Sequence, residues 1–178
     1  AMNPIEGVRT TLVSPRGSAT YSGMIPGYIA GHYDLDAVQI NLRALCRYAG
    51  ADFIESEVEG IDPLINSVVM AGRPSLRFDA ASLDIGSGKR VDLSEVQGSG
   101  ISIKPINDFI SSWPSLIKRI CDGKIKELGV VGSGAAGIEV ALALEHRIRS
   151  GVFDTPCSIS LISSTSKISE KYNFFVRR

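Results

Sequence analysis

The stretch Gly132-Ser-Gly-Ala-Ala-Gly137 follows the apolar run Ile125-Lys-Glu-Leu-Gly-Val-Val131 and precedes a run rich in small apolar residues, Ile138 to Ser150. Three glycines at this spacing, between a strand and a helix, meet three separate needs of a phosphate-binding turn. Gly132 permits the tight turn, Gly134 lets a pyrophosphate approach the backbone, and Gly137 lets the helix pack closely on the strand. The helix start then presents unpaired amides and a partial positive charge to the phosphates. Ser133, Ala135 and Ala136 complete the candidate binding loop, and Ala141 continues its small-residue face. Cys157-Ser-Ile-Ser-Leu-Ile162 reads as a further strand. The order strand, glycine turn, helix, strand is that of a right-handed βαβ unit in a parallel sheet.

Two other readings of the turn stand beside the dinucleotide. One is a glycine-rich turn without a ligand. The other is a methyltransferase site, which usually carries an acid just before the first glycine, where this chain has Val131. A dinucleotide is favoured over both. NAD specificity usually calls for Asp or Glu at the end of the second strand, bonding the ribose 2′-OH. Ser163-Ser164-Thr165-Ser166-Lys167 stands there instead. Its hydroxyls and lysine lean toward the 2′-phosphate of NADPH, while a solvated turn is the plain alternative. NADH and NADPH both stay open.

The elements that must position this loop belong to a chain of 178 residues and 19.0 kDa, which allows one domain or two small ones. Nineteen basic and nineteen acidic residues leave no net charge, against the basic excess that a nucleic-acid surface needs. With 44% hydrophobic residues the chain can bury a core. The stretch from Leu128 to Leu144 is broken by glycines and Glu139, short of the ~20 apolar residues of a membrane span. The first residues given do not show the basic-then-apolar pattern of a signal sequence. Cys46, Cys121 and Cys157 lie far apart and suit reduced thiols in a cytosol-like compartment. No metal-ligand spacing is present, His32 and His146 stand isolated in the sequence, and no zinc site is expected.

Val8–Val13 reads as a strand ending in the turn Ser14-Pro15-Arg16-Gly17. Residues 17–33 (GSATYSGMIPGYIAGHY) keep neither period and read as a structured loop with one helical turn. Ile40, Leu42, Leu45 and Cys46 have helical spacing, and Gly50 falls at the C-terminal cap. Short strand signals from Asp52 to Phe78 form a hairpin meander with a turn at Gly72-Arg73-Pro74. Ala81–Ile85 reads as a buried strand with a glycine exit at Gly86-Ser87-Gly88, and 87–101 as a loop. Lys104-Pro105 opens a helix through Ile120 that ends at Asp122-Gly123, and Pro114 is expected to kink or interrupt it. Residues 172–178 begin another element. The fold class is α/β, Rossmann-like, with a parallel sheet and a β-meander.

SGMIPGYIAGHY after a strand, EVEGID, RFDAASLDIGS, a KPI-starting helix and VVGSGAAGIEVALAL occur in that order. Together they resemble the FAD-dependent pyridine nucleotide-disulfide oxidoreductase superfamily. The branch resembled is the type II NADH dehydrogenase and sulfide:quinone oxidoreductase-like group, especially members associated with selenide, water dikinase. The glycine turn is shared across that superfamily, whereas SGMIPGYIAGHY with SLDIGS is more specific. The resemblance implies nested domains: residues 1–104 as part of an FAD-binding domain and 105–178 as part of an NAD(P)H-binding domain. It implies FAD and NAD(P)H as cofactors. Hydride would pass from NAD(P)H to FAD and on to a small-molecule acceptor such as a quinone. An accessory role in selenophosphate synthesis rests on that family context alone.

On the same resemblance, Ser14, Pro15 and Arg16 stand at the strand end where many relatives place an acid for the FAD ribose. Ser22, Gly23, Met24 and Pro26 match the loop along the flavin edge. The backbone at Glu57-Val58 meets the adenine, Ile85, Gly86 and Ser87 lie beside the cofactor, and Lys104 approaches the flavin or a phosphate. Glu139 matches a glutamate close to nicotinamide and flavin, or is a solvated helix residue. The FAD glycine loop is expected before Ala1, and the rest of the second domain and any membrane-binding region after Arg178. The chain thus reads as an internal fragment with little activity alone, from a cytoplasmic parent that touches a membrane only through that later region, with a homodimer as one open assembly state. No cysteine pair fits disulfide reduction, so all three cysteines read as packing residues. His32 and the loop tyrosines Tyr21, Tyr28 and Tyr33 read first as structural. The alternative class is a dinucleotide-binding or sensing module without turnover, and no residue is assigned as an acid–base catalyst.

Overall fold

A computed structural model describes residues 6–86, 100–152 and 156–164. Expectations for Ser87, Gly88 and the following loop to 99, for Thr165–Lys167 and for 172–178 lie outside the described residues. The described residues form two compact units, one from 6–21 and 39–86, the other from 22–38 and the remainder.

In the first unit, β1 (Thr11–Ser14) and β4 (Asp52–Glu55) pair in parallel, from Thr11 opposite Asp52 to Ser14 opposite Glu55. Short β2 (Ser18–Thr20) and β3 (Gln39–Asn41) pair antiparallel. Helix α2 (Leu42–Ala49) leads into β4. The Asn41 side chain accepts from the Ala44 amide at 2.9 Å, and Gly50 closes the helix at φ 65°, as its place predicts. Ile40, grouped with the helix by spacing, belongs to β3, because the Asn41 cap starts the helix after it. Arg43 reaches Glu55 and lies over the Phe53 ring, while Arg9 and Asp52 pair at 2.6 Å. The Arg9 pair is exposed and contributes little to stability.

The meander consists of β5 (Val58–Asp62), β6 (Ser67–Met70) and β7 (Arg73–Arg77), with β6 in the middle. Its second turn lies one step earlier than expected, so Arg73 and Pro74 fall within β7. Pro74 is tolerated there because β7 is an edge. Ala81–Ile85 is not a buried strand: it has no strand partner among the described residues, and Leu83 and Ile85 are 63% and 86% exposed. A five-residue apolar alternation becomes a buried strand only where a neighbour supplies ladder bonds and cover.

In the second unit, β8 (Glu127–Val131) and β9 (Ser158–Ile162) run parallel in continuous register, joined through helix α4 (Ala135–Arg147). This is the strand–helix–strand order read from the sequence. Helix α4 starts three residues before Ile138, because the last residues of the glycine turn already take helical geometry, and it ends at Arg147 in a wide turn from Ile148. Val140, Ala141, Ala143 and Leu144 are buried along one face. The core gathers Ile25, Ile29, Phe109, Trp113, Leu116, Ile120, Val140 and Leu144. Ile25 and Ile29 come from α1 (Ile25–Ala30), so residues 17–33 hold more order than one helical turn: β2, a 3-10 turn at Ser22–Met24, then α1.

Helix α3 (Ile106–Cys121) runs through Pro114 without interruption, against the expectation. The missing amide and the ring cost about 3 kcal/mol in a helix interior. Phe109, Trp113, Leu116 and Ile120 recur at helical spacing and are buried on one face, each contributing about 1.5–3 kcal/mol, while Pro114 is exposed. Burial therefore outweighs the break. Cys46 and Cys157 are buried as packing residues, but Cys121, at the end of α3, is exposed.

Candidate functional site: the glycine turn between β8 and α4

Gly132 has φ +115°, a backbone state that side chains rarely adopt, and its amide donates to Ile162 at 2.9 Å, tying the turn to the end of β9. A Cβ on Gly137 would lie 1.8 Å from the Gly132 carbonyl oxygen, so the helix start touches the strand end backbone to backbone. Around Gly134 nothing would meet a Cβ within 4 Å, and Gly134, Ala135 and Ala136 are exposed. Gly132 thus makes the tight turn and Gly137 the close helix–strand contact expected of them, and Gly134 lies in open space.

The first α-helical bond of α4 runs from the Ile138 amide to Gly134, so the amides of Ala136 and Gly137 have no acceptor within the helix. Gly134, the N-cap, has no side chain with which to cap this end. Helix-start amides without an acceptor in the helix are the kind of group that can bind phosphate oxygens. The Ser133 and Ser163 hydroxyls lie 2.6 Å apart, joining the turn to the β9 end. Ser164 follows, exposed, and no acid occupies the described end of β9. Glu139 is exposed in the first turns of α4.

Other residues expected at a cofactor lie on other elements. Ser22 and Gly23 are exposed ahead of α1, with Pro26 partly buried beside the core anchors Ile25 and Ile29. Lys104 is exposed before α3, its backbone bonded to the Ser102 hydroxyl. In the first unit, Ser14 ends β1, and Pro15 and Arg16 form an exposed bend. Val58 opens β5, an edge strand whose outer side carries no strand among the described residues. Gly86 is exposed at φ +70°.

Packing also gathers residues that sequence reasoning held apart. His32, just beyond α1, and His146, in the last turn of α4, stand with ring centroids 4.8 Å apart, so they are isolated only in sequence. Tyr28 lies against Trp113 at 6.1 Å and anchors its segment as expected, whereas Tyr21 and Tyr33 are exposed. Arg147, which no motif marked, donates from Nη1 to the carbonyls of Tyr28 and Ile29 at 3.3 and 3.1 Å. Among the described residues no group of three or more His, Cys, Asp or Glu gathers for a metal ion, and no helix is long and apolar enough to cross a membrane.

Burial pushes the Tyr28 phenol up, with Arg147 pulling the other way, and burial pushes the Cys157 thiol up. Both groups hold their protons more tightly folded than unfolded. Their contribution is fully present below the ordinary values of 9.0 for the thiol and 10.0 for the phenol, and is lost as pH rises through the raised folded values. The thermal midpoint is expected to hold on the acid side of that window and to fall as pH rises through it. Cys157→Ala should flatten the first part of the fall, and an unaltered alkaline limb would contradict the assignment.

No protein-family model matches the chain, and no curated protein matches it. Solved structures do. A Plasmodium falciparum NDH2 in complex with NADH superposes with a TM-score of 0.77 at 16% identity, over 95% of this chain and 39% of that one. The sulfide:quinone oxidoreductase of Aquifex aeolicus gives 0.65 at 17% identity, over 90% and 38%. The NADH:rubredoxin oxidoreductase of Clostridium acetobutylicum gives 0.53 at 18% identity, over 85% and 38%. The chain shares the fold of the matched part of each of these structures. It spans less than two fifths of the length of each of these structures.

Proposed function

We propose that the chain is part of an FAD-dependent oxidoreductase that takes hydride from NADH or NADPH and passes the electrons to a small acceptor such as a quinone. The observation that carries this reading is the turn 132–137: a left-handed Gly132, a Gly137 packed against it, and a Gly134 N-cap with open space around it. The fold likeness to an NDH2 in complex with NADH supports it. FAD, when bound, supplies the acceptor for two electrons and a proton carried as hydride. The protein's part is to bind and align two nucleotides.

In this reading the amides of Ala136 and Gly137 hold the dinucleotide pyrophosphate, Gly134 leaves room for it, and Ser133 and Ser163 line the ribose end. The absence of an acid at the described β9 end leans toward NADPH. Glu139 faces the nicotinamide region. Residues 1–104 serve the FAD side: Ser14, Pro15 and Arg16 toward the ribose, the Val58 backbone toward the adenine, Gly86 and Ser87 beside the cofactor. Ser22, Gly23 and Pro26 run along the flavin edge, and Lys104 reaches the flavin or a phosphate. Segment 22–38 is then the piece of the FAD side that packs with α3 and α4.

The second reading is a module that binds a dinucleotide without turnover. It is favoured by the single glycine loop of this kind among the described residues. Anaerobic addition of NADH or NADPH separates the two. Bleaching of a bound flavin's visible absorbance supports the oxidoreductase. A colourless protein that binds either dinucleotide supports the module, and one that binds neither overturns both.

A further inference from the structure

We infer that Arg147 is a positioning residue that fixes the flavin-edge segment 22–33 against the dinucleotide helix α4, and so sets the approach of nicotinamide to flavin; this rests on the proposed oxidoreductase function. Arg147 is the last residue of α4. Its Nη1 bridges two consecutive carbonyls, Tyr28 and Ile29, at the C-terminal end of α1. The guanidinium carbon stands 5.7 Å from the centre of the Trp113 ring on α3. One side chain thus joins three helices.

Several features suit a clamp rather than a surface charge. Arg147 is half-buried, no carboxylate pairs with it among the described residues, and its Nε is buried without a partner. Its charge is met by helix carbonyls and an aromatic face, both of which favour a cation. Gly31, in the left-handed region at φ +86°, follows α1, and a Cβ there would sit 3.1 Å from Nη1. The chain end of α1 is therefore shaped around the guanidinium. Ile29, fully buried, and Ile25 lock the same short helix into the core. Ser22 and Gly23 project from its other end, and the open turn at Gly134 from the far end of α4. Fixing one helix on the other therefore fixes the two nucleotide-facing ends together.

A guanidinium holds its donors in a rigid fork with a flat face for an indole, whereas an ammonium is a compact point charge on a flexible stem and holds such a geometry less firmly. Near-attack geometry is steep enough that a displacement of about 1 Å costs up to about a hundredfold in rate. The test compares Arg147→Met and Arg147→Lys with the wild type in the flavin-loaded protein. Three readouts are taken: the limiting rate of flavin reduction, the dissociation constant of the same dinucleotide, and amide exchange at Gly31 and His32, which bond to Tyr28 and Gly27 at the end of α1. The expected result for Arg147→Met is faster exchange at those amides, reduction slowed about ten- to a hundredfold, and an unchanged dissociation constant. Arg147→Lys should fall between Arg147→Met and the wild type. Faster exchange with an unchanged reduction rate overturns the positioning role, as does a parallel loss of binding, rate and thermal stability. A wild-type flavin that neither NADH nor NADPH reduces overturns the oxidoreductase function itself, and the inference with it.

Discussion

Gly137→Ala is expected to lower stability by about 3 kcal/mol or more, at the upper end of what overpacking usually costs. The added methyl would sit 1.8 Å from the Gly132 carbonyl oxygen, and both partners are backbone, so no side chain can swing aside. Relief requires moving the start of α4 away from the end of β8. For a chain of this size that corresponds to a fall in the thermal midpoint of roughly 6–12 °C. Thermal unfolding followed by circular dichroism checks it, and an unchanged midpoint would mean that helix and strand do not meet as described. Because the displaced helix start also carries the binding amides, dinucleotide binding should weaken in the same variant.

Gly134→Val should do the opposite: spare the fold and remove the ligand. Gly134 has φ −74° and ψ 174°, ordinary extended backbone, and no atom would meet its Cβ within 4 Å. Valine is a poorer N-cap than glycine, a cost of about 1 kcal/mol or less. The branched side chain would nevertheless fill the space where a pyrophosphate approaches the amides. Binding of NADH and NADPH should weaken at least about a hundredfold, or ~2.8 kcal/mol. Calorimetric titration with a parallel melting curve reads both quantities. Unchanged binding would leave the turn as a packing device without a ligand. The two variants together separate what the glycines do for the fold from what they do for a phosphate.

The difference between these glycines was legible in the sequence because their roles are local. Spacing between a strand and a helix determines which glycine turns, which lies open and which packs. The same holds for the Gly50 cap and for the apolar stripe of α3. Expectation failed where a neighbour distant in sequence decided the outcome. Pro114 is carried within a helix because Trp113 and Leu116 beside it are buried. Leu83 and Ile85 alternate like a strand but find no partner among the described residues. Residues 17–33 lack periodicity because α1 is only six residues long, ordered by Ile25 and Ile29 in a core built largely by α3 and α4. Arg147 was silent for the same reason. A basic residue in a helix's last turn is commonplace, and its partners Tyr28 and Ile29 lie at the far end of the sequence.

The most direct test of the central claim is a titration of NADH and NADPH into isotopically labelled protein, followed at the backbone amides. If the turn 132–137 binds the pyrophosphate, the amide resonances of Gly134 through Gly137 should shift first and furthest, with Ser163 following at the ribose end. Perturbation confined to other residues, or none at saturating dinucleotide, would contradict the assignment of this turn as the dinucleotide site.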